Sequence, residues 1–584
     1  MAAAPQEASV RVTPEGEDSA AAVVVRFLQA QGVTRLFTLC GGHIMPVFMR
    51  AAAAGIRIID VRDERAAVYM AHAHAELTGE LGVALVTAGP GVTNAMTGIA
   101  NAHMARAPVM VLSGTPPRAQ DNRGALQDLP HAEMLRAITR YARTVREPAL
   151  VLQELAEATS RAWGQGGDPG PVYLDFPTDV LRADVAPATQ LAEFLLRQGR
   201  PTLTPDPATA AQAMELLWSA RRPLVISGRG ARGAGPELVA LLDRCGALYL
   251  DSGESRGLVP ESHPSAVAAM RGKLLRDADV VLTIGRRLDF QLAYGSPAVF
   301  GDARFIRIAD APGELRDNRR AAVELFAQPA AALRAIVAAA GERAPAIDRA
   351  WAASMRSSHL ARTDKLARSM REAAPDAQGR MHPNRLLAKL QQHLQPDAIV
   401  VADGGDFLSF ARVGLAATTY LDPGSLGCIG IGTPFGIAAS LAFPQRQVVV
   451  ATGDGAFGFN AMEIDTAVRH QAPVLIVVAN NGAWQIEVTD QQDRYQQVVG
   501  TRLQFADHAG MARAFGMHAQ RVESVDDLDA AITQALQHLP ALLDVVVSTE
   551  ARSSDARSGL ARVPDLQALD AWDAAELAWR AGTP

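Results

Sequence analysis

Two short apolar runs, each ending in a polar cluster, constrain this chain more than any other feature. Gln447-Val-Val-Val-Ala-Thr452 runs into Gly453-Asp454-Gly455, and Pro473-Val-Leu-Ile-Val-Val-Ala479 runs into Asn480-Asn481. Runs this short and this rich in β-branched residues read as buried parallel strands. Phe457 to His470, between them, has helix-like spacing, so the segment predicts one βαβ unit. Such a unit puts Asp454 and Asn481 at the same ends of two strands, where α/β sheets bind ligands. A carboxylate, an amide oxygen and a nearby backbone carbonyl suit Mg²⁺, which fills its remaining positions with phosphate oxygens and water.

The same alternation of strand and helix recurs along all 584 residues. It predicts an α/β protein of three consecutive parallel-sheet domains. The expected bounds are 16–190, 205–343 and 375–550, with a tail over 551–584. Pro201, Pro205 and Pro207 mark the first linker, and the charged, Ala-rich stretch Asp348 to Glu372 leads into the third block. The stretch Met1 to Asp18 is expected to be a loose tail without a signal peptide's basic start. A net charge of −6 leaves no electrostatic footprint for nucleic acid. No run approaches the roughly 18 apolar residues of a membrane span. Three scattered cysteines (Cys40, Cys245, Cys428) are too few for a disulfide framework or a zinc site, and fit a reducing cytoplasm.

Gly-Asp-Gly followed by Asn-Asn at this spacing, with strands before both, resembles the diphosphate motif of thiamine diphosphate (ThDP) enzymes. The three blocks resemble, in chain order, the pyrimidine-binding, central Rossmann-like and diphosphate-binding domains of the pyruvate oxidase and acetolactate synthase-like superfamily. The resemblance implies that Asp454 and Asn481 hold Mg²⁺ by side chain and Ala483 by its carbonyl, with Gly455, Ala456 and Trp484 beside the cofactor. Asp60-Val-Arg-Asp-Glu64-Arg matches the family's activating glutamate, so Glu64 is expected to drive the aminopyrimidine to its basic tautomer. Asp63 is the alternative carboxylate. Ser425-Leu-Gly427-Cys-Ile429 is similar to the loop where a glycine carbonyl meets the pyrimidine and a bulky side chain bends the cofactor. Gly427 and Ile429 take those places. Ala402-Asp403-Gly404-Gly405-Asp406 looks like the second diphosphate turn, with Gly405 and Asp406 in contact and Asp406 unexplained. Relatives build each site from two subunits, which implies a homodimer or homotetramer.

Three further matches bear on the reaction. Gly41-Gly42-His43-Ile44 resembles benzaldehyde lyase, where the histidine lies beside the substrate hydroxyl. A near-neutral imidazole can take that proton, or His43 simply sits at a turn. Gln127, in Gly124-Ala-Leu-Gln127-Asp128, is expected at the substrate. Glu487, six residues past Asn481, matches the offset of a proton-handling glutamate, and a partly apolar pocket would raise its pKa. The class most resembled is 2-hydroxyacyl-CoA lyase, a carbon–carbon lyase. It cleaves the C1–C2 bond to formyl-CoA and a ketone or aldehyde, or condenses them in reverse; 2-hydroxyisobutyryl-CoA, giving acetone, is one candidate substrate. An acetolactate synthase-like or 2-oxo-acid decarboxylase activity without CoA is the rival. Gly228-Arg-Gly230-Ala-Arg-Gly233, with Asp251 ending the next strand, reads as a dinucleotide fingerprint. ADP or another adenine nucleotide is therefore an open expectation for the central block, its phosphates met by Arg286 and Arg287 unless these are solvated surface charges. Arg552, Arg557 and Arg562 are expected to contact CoA phosphates if the tail is a lid.

Overall fold

The computed structural model describes residues 16–185, 202–558 and 560–582. Most of the expected N-terminal tail, the first boundary at Gln190, Pro201 and the side chain of Arg557 lie outside the described residues.

Among the described residues seventeen strands form three sheets, and every pairing between them is parallel. The first sheet comprises β1 (Arg35–Thr38), β2 (Arg57–Asp60), β3 (Gly82–Val86), β4 (Val109–Thr115), β5 (Tyr141–Thr144) and β6 (Val172–Pro177). Its order is β2-β1-β3-β4-β6-β5. The second holds β7 (Pro223–Ser227), β8 (Leu248–Asp251), β9 (Val280–Ile284), β10 (Arg304–Ala309) and β11 (Val323–Phe326), in the order β11-β10-β9-β7-β8. The third holds β12 (Ile399–Asp403), β13 (Thr419–Leu421), β14 (Val448–Gly453), β15 (Val474–Asn480), β16 (His518–Val522) and β17 (Ala541–Val546). Its order, β13-β12-β14-β15-β17-β16, repeats that of the first sheet. All three sheets are covered by helices on both faces, which is why their central strands read as continuous apolar runs.

Two details differ from expectation. Pro207 opens the helix Pro207–Trp218 rather than belonging to a linker, because Asp206 caps it by accepting from the Thr209 amide at 2.8 Å. The segment between β14 and β15 is two helices, Asp454–Phe459 and Glu463–Arg469, broken at Asn460. The break has a cause: the Asn460 side chain turns away to donate to the Gly430 carbonyl at 2.6 Å.

The first and third blocks share one apolar core. The helix Glu64–Thr78 packs on the helix Gly432–Ala442, with Tyr69 and His72 edge-on to Phe435. A polar seam borders this contact, where Arg469 and His470 reach Asp60 and Arg65 reaches the Phe459 carbonyl. The tail is folded, and its helix Asp570–Gly582 returns to the central block, where Gln567 donates to the Ala293 carbonyl and Glu576 meets Ser296.

Candidate active site

β14 and β15 run in step, with Gly453 opposite Ala479, so Asp454 and Asn481 leave the sheet side by side. The buried Asp454 accepts the Gly482 amide at 3.0 Å. Asn481 accepts the Ala483 amide at 3.1 Å, and Trp484 donates its amide to the Thr501 carbonyl at 2.9 Å. Together these bonds fix the turn that carries Ala483 and Trp484. One cleft is lined by Gly405 and Asp406 from the turn after β12, by Ile429, by Asp454, Gly455 and Ala456, and by Asn481, Ala483, Trp484 and Glu487. Gly427 has φ +68 and does not line it. At Gly455 an added Cβ would lie 2.4 Å from the Trp484 ring, so only glycine lets the two walls meet.

The cleft suits a metal–diphosphate. Burial pushes the Asp454 carboxyl up to about 6, despite the amides that hold it down. That is the signature of a buried anion short of a positive partner. Among the described residues no group of three or more His, Cys, Asp or Glu side chains gathers around a metal position. A cation here would therefore rest on one carboxylate, an amide oxygen, a carbonyl and the oxygens of a bound anion, which is the donor set of Mg²⁺.

Two carboxylates in this wall have structural work. Asp406, unexplained by the sequence, accepts the Ser553 amide at 3.2 Å and so fastens the start of the tail to the cleft. Asp403, the last residue of β12, is wholly buried and accepts amides from Gly404 (2.7 Å), Gly430 (3.0 Å) and Gly432 (2.8 Å). It ties the diphosphate turn to the loop bearing Ile429. Only its adjacency to Gly404 was visible in the sequence. Glu487 lies in the first turn of the helix Gln485–Tyr495, exposed at the rim, and its carboxyl is raised by partial burial and then by Asp490.

The other expected residues cluster in the first block. Glu64 is the first residue of its helix, buried, and accepts from the Asn94 side chain at 3.0 Å. Asp63 is spent as the cap, accepting the Arg65 amide at 2.8 Å. His43 sits in the 3-10 turn Gly42–Ile44 after β1, beside Gln127, which the chain presents at φ +62. Burial lowers the His43 ring below its ordinary value, with Gln127 opposing and His131 assisting, so the ring is neutral at pH 7. Beneath it, His131 Nε2 accepts the Gly89 amide at 2.9 Å, which leaves its proton on Nδ1, 3.2 Å from Asp175. No first-block residue lines the cleft. One chain thus keeps Glu64, His43 and Gln127 apart from the cleft of Asp454, Asn481 and Glu487.

The central block departs from its fingerprint. Glycines 228 and 230 pack on the backbone at Gly285, where an added Cβ would come within 2.5 and 2.8 Å. Arg286 is not a solvated surface charge. It is buried and bidentate on Asp289 at 2.9 Å. Arg229 and Arg232 both meet Glu76 of the first block, a buried carboxylate. In the tail, Arg552 pairs with Asp493 at 2.9 Å and Arg562 with Asp570 at 3.3 Å.

Three family models match in chain order. They are the thiamine pyrophosphate enzyme N-terminal TPP binding domain over residues 18–134, the central domain over 210–336 and the C-terminal TPP binding domain over 387–545. The chain is 34% identical over 558 residues to the acetolactate synthase large subunit IlvG of Mycobacterium tuberculosis, covering 92% of this chain and 97% of the relative. It is 32% identical over 546 residues to 2-hydroxyacyl-CoA lyase 2 of Mus musculus (86% and 84%), and 30% identical over 603 residues to the Homo sapiens protein of that name (95% and 92%).

Proposed function

Because this chain belongs to the thiamine pyrophosphate enzyme family, we propose that it is a carbon–carbon lyase acting on 2-hydroxyacyl-CoA thioesters, as the mouse and human relatives' names suggest. The observation that carries the reading is His43, whose ring burial keeps neutral, in the 3-10 turn after β1 of the block that also contains Glu64. Cleavage of a 2-hydroxyacyl thioester needs a base at the 2-hydroxyl, and a neutral ring can serve.

Asp454, Asn481 and the Ala483 carbonyl would hold Mg²⁺, with the Gly405 and Gly455 backbones close to the diphosphate. When bound, ThDP supplies a carbon nucleophile for the thioester carbonyl. Glu64 would hydrogen-bond the pyrimidine and promote its activation. His43 takes the 2-hydroxyl proton as the C1–C2 bond breaks, and a ketone or aldehyde leaves. Glu487 returns one proton to C1, which departs as formyl-CoA, so atoms and charge balance. Two copies of the chain complete each site, because Glu64 and Asp454 occupy separate halves of one chain. The tail, fastened at Asp406, would have to release Arg552 from Asp493 to meet a CoA phosphate. Free Cys40, Cys245 and Cys428 support a cytoplasmic setting. An adenine nucleotide is not part of this reading, since Arg286, Arg229 and Arg232 already have carboxylate partners.

The identity to IlvG favours a second reading, a CoA-independent acetolactate synthase-like reaction. Incubation of the purified protein with ThDP, Mg²⁺ and either 2-hydroxyisobutyryl-CoA or pyruvate, followed by mass spectrometry, separates the two. Formyl-CoA and acetone are expected from the thioester. Acetolactate or acetaldehyde from pyruvate, with the thioester untouched, replaces the lyase reading.

A further inference from the structure

We propose that Glu463 is a positioning residue for Glu64, setting the activating carboxylate from the third block of the same chain. Glu463 opens the helix Glu463–Arg469 and is 1% exposed. Its Oε1 accepts the Arg62 amide at 3.0 Å. Its Oε2 accepts the Thr466 hydroxyl at 2.6 Å. Arg62 and Asp63 are the two residues immediately before Glu64, so Glu463 holds the backbone that aims the Glu64 side chain.

Helix capping does not account for this. The helix Glu64–Thr78 already has its cap, since Asp63 accepts the Arg65 amide. Packing does not account for it either. Burial pushes Glu463 up to about 7, and a carboxylate is a costly way to fill space. What it provides is two acceptor oxygens, one turned to the segment before Glu64 and one held by Thr466. The surrounding contacts act in the same direction. Arg65 donates to the Phe459 carbonyl at 2.9 Å, and Arg62 pairs with Asp465 at 3.4 Å. Glu64 is thereby flanked on both sides by residues tied to 459–465. Asn460, within that segment, also holds the Gly430 carbonyl beside Ile429. One chain thus links the wall of its own diphosphate cleft to the carboxylate it offers to the other copy's site.

This inference rests on the reading that Glu64 activates the cofactor, and the test separates the two. C2 hydrogen–deuterium exchange of bound ThDP is measured by NMR in wild type, Glu64→Gln, Glu463→Ala and Glu463→Gln, with ThDP affinity by calorimetry and amide exchange of the apoprotein over 60–66. A misplaced catalytic group costs about 10²-fold, so Glu463→Ala is expected to slow C2 exchange by that factor. ThDP affinity should stay within about threefold, and the Arg62 amide should exchange faster. Glu463→Gln keeps an acceptor for Arg62 and should recover most of the rate. If Glu463→Ala does not fold, Thr466→Val, which frees Oε2, is expected to give a smaller slowing of the same kind. Wild-type C2 exchange in Glu463→Ala, or in a folded Thr466→Val used in its place, overturns the proposal. A fall in ThDP affinity matching the fall in exchange also overturns it, by making the role merely structural. Wild-type exchange in Glu64→Gln removes the activating reading itself, and the proposal with it.

Discussion

Asp403 allows stability and cofactor binding to be predicted separately, because two opposed terms meet on one side chain. Burial raises its carboxyl from 3.8 to about 6, so holding it ionised at pH 7 costs roughly 3 kcal/mol. Against this, the carboxylate satisfies three buried amides, those of Gly404, Gly430 and Gly432. Stranding such a group costs about 1–3 kcal/mol each. Asp403→Ala removes both terms and should lower stability by roughly 3 kcal/mol, the middle of a range of about 0–6. Asp403→Asn relieves the charge, keeps one acceptor oxygen and strands one or two amides, so its stability should lie between about 2 kcal/mol above and about 3 kcal/mol below wild type. Binding should not be spared, because one oxygen cannot hold the diphosphate turn and the Ile429 loop together. Asp403→Asn is expected to weaken ThDP about tenfold or more, which is about 1.4 kcal/mol. The folded pKa lies above the unfolded one, so wild-type stability should fall as pH rises from about 4 to about 6, and the Asn variant should lack that slope. Urea unfolding across pH and calorimetric titration with ThDP provide the readouts. A loss above about 3 kcal/mol in Asp403→Asn would refute the buried-charge term, and unchanged ThDP affinity in Asp403→Ala would refute the latch.

Asp454→Ala should lose Mg²⁺ and ThDP together, since a bridging cation joins protein and diphosphate; calorimetry with undiminished ThDP affinity would contradict the ligand role. Glu487→Gln keeps size and polarity but cannot give up a proton, and should cut kcat for thioester cleavage by about 10²–10⁴-fold with ThDP binding unchanged; near-normal turnover would make it a bystander. The folded pKa of Asp60 is depressed to about 2, chiefly by its hydrogen bond to His470, with Arg469 adding to it. Its contribution is therefore present above the unfolded value near 3.8 and lost as pH falls through about 2. The stability advantage of wild type over Asp60→Asn, followed by thermal unfolding, should shrink across that window, and a constant difference would rule the seam out as its source.

The parallel three-block fold was legible because each central strand is buried on both faces, and the resulting apolar runs stand out from the helices between them. The cleft was legible for a related reason. Asp454 and Asn481 follow such strands directly, so locating the strands located their ends. Residues whose partners are far away in sequence stayed hidden. Glu463 faces Arg62, Asp403 faces Gly430 and Gly432, and Glu76 faces Arg229. Each is a single polar residue in a helix or at a strand end, with no periodicity to mark it. The fingerprint in the central block carries a different lesson. Gly228 and Gly230 look like room for a pyrophosphate, yet the approach they permit is that of the Gly285 backbone. A glycine pattern records that something comes close, and the structure has to say what. The same distinction applies to the site. Resemblance groups Glu64 with Asp454, but one chain keeps them in separate halves, and the contacts of Glu463 show that the half carrying Glu64 is held in shape by the half carrying Asp454. Any substitution along Asp60–Arg65 or Phe459–His470 therefore acts on both halves at once. Its effect on activation has to be measured apart from its effect on binding.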